Sequence, residues 1–364
     1  MLRYVASKIL KRSPLCALVA ALALTPLAAQ PALAAKKESF RVAWSIYVGW
    51  MPWAYAAEKG IVDKWAEKYG IEIEVVQIND YIESINQYTA GAYDGCVMTN
   101  MDALSIPAGG GLDSTALILG DFSNGNDGVV VKGGLDLAGL EGKNVNLVEL
   151  SVSHYLLARA LDSAGIAERD LTVVNTSDAD MVAAFKTAEV EAVVTWNPLL
   201  SEIAAEPGAE VLYTSADIPG EIIDMMVVNT ETLADNPDFG KALVGAWYET
   251  MSIMMKDDAE GKAARTYMGE QSGTDLAGYD AQLATTRMFY DPAEAVAFAK
   301  SEQLAETMDV VRNFLFDHGI LGEGAPSPDY VGMTFPGGGS LGDAANTKLR
   351  FDVDYMGMAA EGAL

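Results

Sequence analysis

Six short segments of the sequence, 45–53, 99–106, 120–128, 149–155, 195–198 and the approach to 224, hold the acids Asp102, Asp121, Asp127, Glu149 and Asp224 but no lysine or arginine. A buried sulfonate, nitrate or bicarbonate wants a guanidinium or ammonium to offset its charge. A base-free, acid-rich set suits a cationic or neutral ligand instead. Part of the bias is compositional, because the chain has a formal charge of −27. Aromatic residues add a second signal: Trp44, Tyr47, Trp50 and Trp53 crowd one loop, and Trp196 closes a later run. Aromatic faces attract cations by about 0.5–2 kcal/mol. Trp44 lies inside a strand-like run and reads as core, which leaves Trp50 and Trp196 as the candidate contacts.

A planar cation such as guanidinium has N–H donors round its edge and two apolar faces, so carboxylates can take the edge while indoles cover the faces. Urea has the same shape with an acceptor oxygen and no charge. It needs a donor, which Asn100, Thr195 or a backbone N–H supplies. The candidate ligand-binding set is therefore Tyr47, Trp50, Asn100, Asp102, Asp121, Glu149, Ser151, Thr195, Trp196 and Asp224. Ser151 starts a helix, and helix N-termini favour anions; the plainer reading is an ordinary N-cap. His154 and His318, the chain's 2 histidines, lie far apart in sequence with no cysteine cluster. No metal site, cofactor or catalytic residue is expected: no nucleophile–base pair or phosphate-binding loop stands out.

The elements that must carry these residues alternate short apolar runs with helical patterns. The first series predicts strands at 40–44, 71–78, 95–98 and 115–119, with helices at 52–69 and 81–90 and a short one near 101–106. A second series gives strands at 144–148, 171–175, 192–195 and 210–213, with helices at 152–164 and 180–187. Long helical patterns follow at 237–256 and 293–318, and 322–342 reads as a Gly/Pro-rich surface loop. This βαβ rhythm implies mainly parallel sheets flanked by helices. Ligands in such sheets sit at the carboxyl ends of strands, where the segments up to 198 fall, with Asp224 at the entry to a strand. The glycine-rich stretch 128–142 is expected to cross between two lobes.

Arg3, Lys8, Lys11 and Arg12 precede an apolar run too short to span a bilayer and an Ala32-Leu33-Ala34 cleavage pattern, so residues 1–34 read as a signal peptide. Export to the periplasm is expected, with no further membrane-inserted segment. Of the 2 cysteines, Cys16 falls in that peptide, so Cys96 has no partner for an intramolecular disulfide and reads as a buried, inert thiol. A surface this acidic repels nucleic acid and anionic lipid.

The stretches AWSIYVGWMPWAYAAEKGIV from Ala43, INDYIESINQYTAGAYDGCVMTNMDAL from Ile78 and LVELSVSHYLLARAL from Leu147 resemble the nitrate, sulfonate and taurine class of periplasmic binding proteins. SIYVGWMPW, MTNMDAL, GDFSNGNDG and VVTWNP together resemble its subfamily found beside urea carboxylase. The resemblance implies a two-lobed type II periplasmic binding fold: 35–128 as the first part of lobe one, 129–222 as lobe two, and 223–364 as the rest of lobe one with the C-terminal helices. It also implies a monomeric receptor that hands its ligand to an ABC permease and ATPase, and for the subfamily a small nitrogen-rich ligand, guanidine or urea. The alternatives are a receptor for a small anion (nitrate, taurine or a sulfonate) and a biosynthetic enzyme on the same fold.

Overall fold

The computed structural model describes residues 37–322 and 324–364. The expected signal peptide lies outside the described residues. Two mixed sheets carry the fold. The larger has nine strands, and along its main path the order is Ser340–Leu341, Gly332–Thr334, Thr347–Phe351, Ser114–Ser123, Ile223–Asn229, Gly95–Thr99, Ser39–Trp44 and Glu72–Gln77. Thr286–Met288 pairs with Ser114–Ser123 off that path. The smaller has five strands in the order Thr172–Asn175, Asn144–Leu147, Ala192–Trp196, Asp127–Lys132 and Ala209–Thr214. Helices flank both sheets, in keeping with the βαβ rhythm of the sequence.

The chain passes between the sheets twice, and each arriving strand is antiparallel to both its neighbours. Asp127–Lys132 enters the smaller sheet so, and Ile223–Asn229 returns to the larger sheet in the same way. The first crossing is therefore the short turn 124–126. This corrects the expectation of a crossing within 128–142, whose first residues form the buried strand Asp127–Lys132. Gly125, at φ 108°, gives the turn a backbone conformation that costs an ordinary residue strain. The two crossings are tied together: Ser123 Oγ and Ser215 Oγ lie 2.6 Å apart, and the Gly125 amide donates to Ser215 Oγ at 2.7 Å.

Several helices differ from their expected lengths. The pattern at 52–69 forms two helices, Met51–Glu58 and Ile61–Lys68, because Gly60 takes φ 68° and turns the chain. The 293–318 pattern breaks likewise into Pro292–Ala299 and Glu302–Asp317. The expected surface loop at 322–342 contributes Gly332–Thr334 and Ser340–Leu341 to the end of the larger sheet. Cys96 is a free thiol in the fully buried strand Gly95–Thr99, and burial pushes its pKa up to about 12. Among the described residues no helix is long and apolar enough to cross a membrane.

Candidate functional site

The carboxyl ends of Ser39–Trp44, Gly95–Thr99 and Ala192–Trp196 and the amino ends of the antiparallel strands Asp127–Lys132 and Ile223–Asn229 converge on one small space. Tyr47, Trp50, Tyr81, Thr99, Ile222 and Asp224 line it from the larger-sheet side, and Asp127, Val152 and Trp196 from the smaller-sheet side. The space measures about 250 Å³ to the atom surfaces, of which about 10 Å³ admits the centre of a water-sized sphere. As it stands that is room for about one water molecule, so a ligand of several heavy atoms enters only as the walls part.

Aromatic rings form a continuous wall. Tyr47 meets Trp50 edge-on at 5.0 Å between centroids, Trp50 leans on Tyr81 at 5.6 Å, and Tyr81 meets Trp196 edge-on at 5.7 Å. The Trp196 indole spans the gap between the sheets, donating from Nε1 to the carbonyl of Ile46 at 3.3 Å. Trp50 Nε1 is buried without a partner. Burying a polar group so costs about 1–3 kcal/mol, a cost that a ligand acceptor would remove.

Four buried aspartates surround the same space. Asp224 and Asp121 are directly opposite each other on the antiparallel strands Ile223–Asn229 and Ser114–Ser123. Tyr47 Oη donates to Asp121 Oδ1 at 2.9 Å, while Oδ2 of both Asp121 and Asp224 is buried without a partner. Asp127 opens the first strand of the smaller sheet opposite Trp196 and accepts from Ser123 Oγ at 2.5 Å. Asp102 Oδ2 accepts from Tyr81 Oη at 2.6 Å and Thr99 Oγ1 at 2.8 Å.

Burial disfavours the charged form of all four. It raises Asp102 to about 6 and Asp127 to about 7. Asp121 is raised chiefly by burial, and Asp224 is held well above the usual carboxylate range by burial and then by the negative charges of Asp121 and Asp127. At the roughly 5 Å of a cross-strand pair, two unit charges repel by about 3 kcal/mol at an effective dielectric of about 20. No lysine or arginine lines the space to offset this.

The start of the helix Val152–Ala164 borders the same space, and it already has an anion. The Asp102 carboxylate lies close to this helix start and lowers its appeal to a second anion, while its own Oδ1 is buried without a hydrogen-bond partner.

The residues expected from sequence fall into three groups. Tyr47, Trp50, Trp196 and Asp224 line the cavity, and Asp102 and Asp121 stand one hydrogen bond behind it. Asn100, Thr195 and Ser151 are buried nearby but do not line it. Both ends of the Asn100 amide are used: Nδ2 donates to the Glu221 carbonyl at 3.1 Å, and Oδ1 accepts from the Ile223 amide at 3.0 Å. Ser151 caps its helix, accepting from the Ser153 amide at 3.2 Å and donating to the Val148 carbonyl at 2.7 Å. Thr195 keeps an unpartnered, buried hydroxyl.

Glu149 stands apart as an exposed residue away from the cavity, because its amide is held by Asn175 Oδ1 while Leu150, at φ 63°, turns the chain behind it. Tyr81, Thr99 and Asp127 were outside the expected set. Tyr81 and Thr99 sit at a helix start and a strand end, where sequence alone assigns ordinary capping and packing. We expect Ser151→Ala to lower stability by about 1 kcal/mol, the usual worth of an N-cap. Ligand affinity should change little, as calorimetry on the folded variant would measure.

The two histidines do come together, contrary to the expectation from their separation in sequence. His154 Nε2 lies 2.9 Å from Glu168 Oε1, and His318 Nδ1 lies 2.7 Å from Glu168 Oε2. These ligand-type atoms all fall within 4.8 Å of one another. The Leu150 amide donates to His154 Nδ1 at 3.2 Å, which leaves the ring proton on Nε2, facing Glu168. A metal-bound histidine normally donates from its other nitrogen, so the cluster reads as a hydrogen-bonded bridge. It holds the helix Val152–Ala164 to the end of Glu302–Asp317, and the two imidazoles draw Glu168 down to about 2.

Two sheets joined by two crossings, with a small space between their strand ends, define the two-lobed α/β fold of periplasmic binding proteins. The chain belongs to the NMT1-like family, whose sequence pattern matches residues 34–268. The alkanesulfonate-binding protein SsuA of Xanthomonas axonopodis pv. citri, bound to MOPS, superposes with a TM-score of 0.64 at 17% identity, covering 80% of this chain and 96% of that one. The nitrate-binding protein NrtA of Synechocystis PCC 6803 gives 0.57 at 14% identity, covering 90% and 99%.

A binding protein of Brucella abortus (strain 2308) is 28% identical over 195 residues, 52% of this chain and 59% of that one. The matched stretch thus spans little more than half the length of that relative. Over 82 residues, 22% of this chain and 26% of the relative, identity to an aliphatic sulfonates-binding protein of Escherichia coli (strain K12) is 35%. These names lend no support to the narrower urea-carboxylase-associated resemblance.

Proposed function

We propose that this protein is a periplasmic receptor which closes its lobes on a compact, planar cation of the guanidinium type and delivers it to an ABC permease and ATPase. The observation that carries this reading is the set of four buried aspartates, Asp102, Asp121, Asp127 and Asp224, round an aromatic-walled cavity with no base among its lining residues. Carboxylates accept from the N–H edge of such a cation, and indole and phenol rings cover its faces. The narrowness of the space favours a small ligand, and one of guanidinium's size needs the walls to move apart to admit it. Urea, of the same shape, is the neutral alternative; Trp50 Nε1 offers the donor its oxygen needs. Closure follows from differential affinity, since only a ligand that touches both lobes favours the closed form.

A second reading is a receptor for a small anion. Its support is the likeness to relatives named for sulfonates and nitrate. Against it stand the absence of a cationic side chain from the lining and the presence of the Asp102 carboxylate beside the helix start at Val152. Titration calorimetry with guanidinium chloride, urea, sodium nitrate and taurine separates the two. The cation reading expects guanidinium to bind most tightly, urea more weakly, and nitrate and taurine not at all. Tight binding of either anion with no response to guanidinium would replace the first reading with the second.

A further inference from the structure

Resting on the cation reading above, we infer that the empty site keeps one proton shared between Asp121 and Asp224, and that an incoming guanidinium-type cation expels it, one proton leaving for each cation that enters. The two carboxylates are cross-strand partners in register, so their side chains project to the same face as immediate neighbours. Tyr47 occupies only Oδ1 of Asp121. The Oδ2 atoms of both residues are buried with no partner, an arrangement two ionised carboxylates could not hold but one shared proton satisfies.

The groups that face the pair are neutral or acidic, and the two arginines nearby are paired elsewhere: Arg287, on the strand beside Asp121, with Glu294, and Arg265, near Tyr279 and Tyr290, with Asp280. Tyr47 and Trp50 come from the loop after Ser39–Trp44, and Asp127 from the smaller sheet. Trp247 of the helix Pro237–Met254 borders a second small cavity behind Asp224. Tyr279, whose hydroxyl donates to the Val48 carbonyl, and Tyr290 also lie within electrostatic reach of Asp121. With no base among the residues lining the cavity, a proton is the counter-charge that remains. Burial and the neighbouring carboxylates hold the pair's affinity for that proton above the ordinary range.

The exchange balances. A cation with charge +1 enters, H⁺ leaves to water or buffer, no bond of the ligand is made or broken, and the site's net charge is unchanged. The dyad titrates as a unit rather than as two separate residues. Where the empty site holds its proton, each unit of falling pH should weaken cation binding about tenfold, and a neutral ligand such as urea should bind with no proton released.

The test is calorimetric titration of the full-length protein with guanidinium chloride at about pH 8, where Asp102 and Asp127 have given up their own protons, in two buffers of different ionisation enthalpy. The expected result is release of about one proton per cation in the wild type, falling to near zero in Asp224→Asn. Infrared difference spectra of the wild type give a measurement independent of any variant. The carbonyl stretch of a protonated carboxylic acid should be present in the empty protein and vanish when guanidinium is added. Binding with no buffer dependence and no such band overturns the shared proton and leaves the cation reading standing. No binding of guanidinium in either buffer overturns both.

Discussion

Replacing Asp224 with asparagine should weaken guanidinium binding by about 1.5–3 kcal/mol, roughly 10- to 150-fold, the usual worth of a hydrogen bond to a charged group. Asparagine keeps the shape and one acceptor oxygen but removes the charge, so the loss reports electrostatics rather than a cavity. Asp224 suits this test because it lines the space directly and its Oδ2 has no partner within the protein. Its neighbour Asp121 stands behind the lining and is held by Tyr47, so it is the less direct choice; Asp224 also lies within hydrogen-bonding reach of Asp121, for which asparagine keeps a polar partner.

Urea affinity should change much less in the same variant, since no full charge is being neutralised. Titration calorimetry with both ligands on both proteins checks the pair of expectations. Equal losses for urea and guanidinium would mean that Asp224 acts on the cavity's shape and not on its charge. An unchanged guanidinium affinity would remove Asp224 from the site.

How much of this was legible in the sequence depends on the kind of contact. Period and punctuation reveal strands and helices. Trp50 and Trp196 could therefore be found beyond the carboxyl ends of strands, where α/β sheets present ligands, and Asp224 at the entry to a strand. Neighbours across the sheet are not written in local pattern. Nothing near 224 announces that Ile223–Asn229 inserts between Gly95–Thr99 and Ser114–Ser123, and this insertion is what sets Asp224 opposite Asp121.

The misplacement of Glu149 has a local cause of the same kind. Leu150 adopts a left-handed φ of 63°, rare for a residue with a side chain, and no composition signal forecasts it. Asn100 misled differently. Its position was right, but its amide is consumed in pinning the backbone at 221 and 223, a role visible only once the return crossing is in view. Tyr81 was hidden by an unambiguous helix start, with Asp80 as the N-cap; its hydroxyl reaches Asp102 only because helix and strand ends meet in the fold. The histidine bridge through Glu168 is likewise a product of tertiary structure alone.

The empty protein should lose stability as pH rises from about 4 to about 8, the reverse of ordinary acid denaturation. A carboxyl whose folded pKa lies above its unfolded value binds more protons in the native state than in the unfolded state over the interval between the two. Stability then falls with rising pH through that interval and stays low above it. For Asp102 the interval runs from the ordinary 3.8 to about 6, and for Asp127 from 3.8 to about 7. At about 1.4 kcal/mol per pH unit, the two contribute losses of about 3 and about 4 kcal/mol respectively. Asp121 and Asp224 act in the same direction.

The chain's surface self-repulsion, with a formal charge of −27, has the same sign, so a falling melting temperature is not sufficient by itself. The discriminating comparison is Asp127→Asn, which removes one buried acid while hardly altering the surface. Its melting temperature should decline less steeply with pH than the wild type's. Scanning calorimetry is the measurement to use, because urea and guanidinium, the usual denaturants, are both candidate ligands. A cation that fills the site should restore stability chiefly at the alkaline end, by about 2.7 kcal/mol at a hundred times its dissociation constant. Parallel pH profiles for wild type and variant would mean that Asp127 carries no buried charge penalty, and the case for a cation would lose one of its four carboxylates.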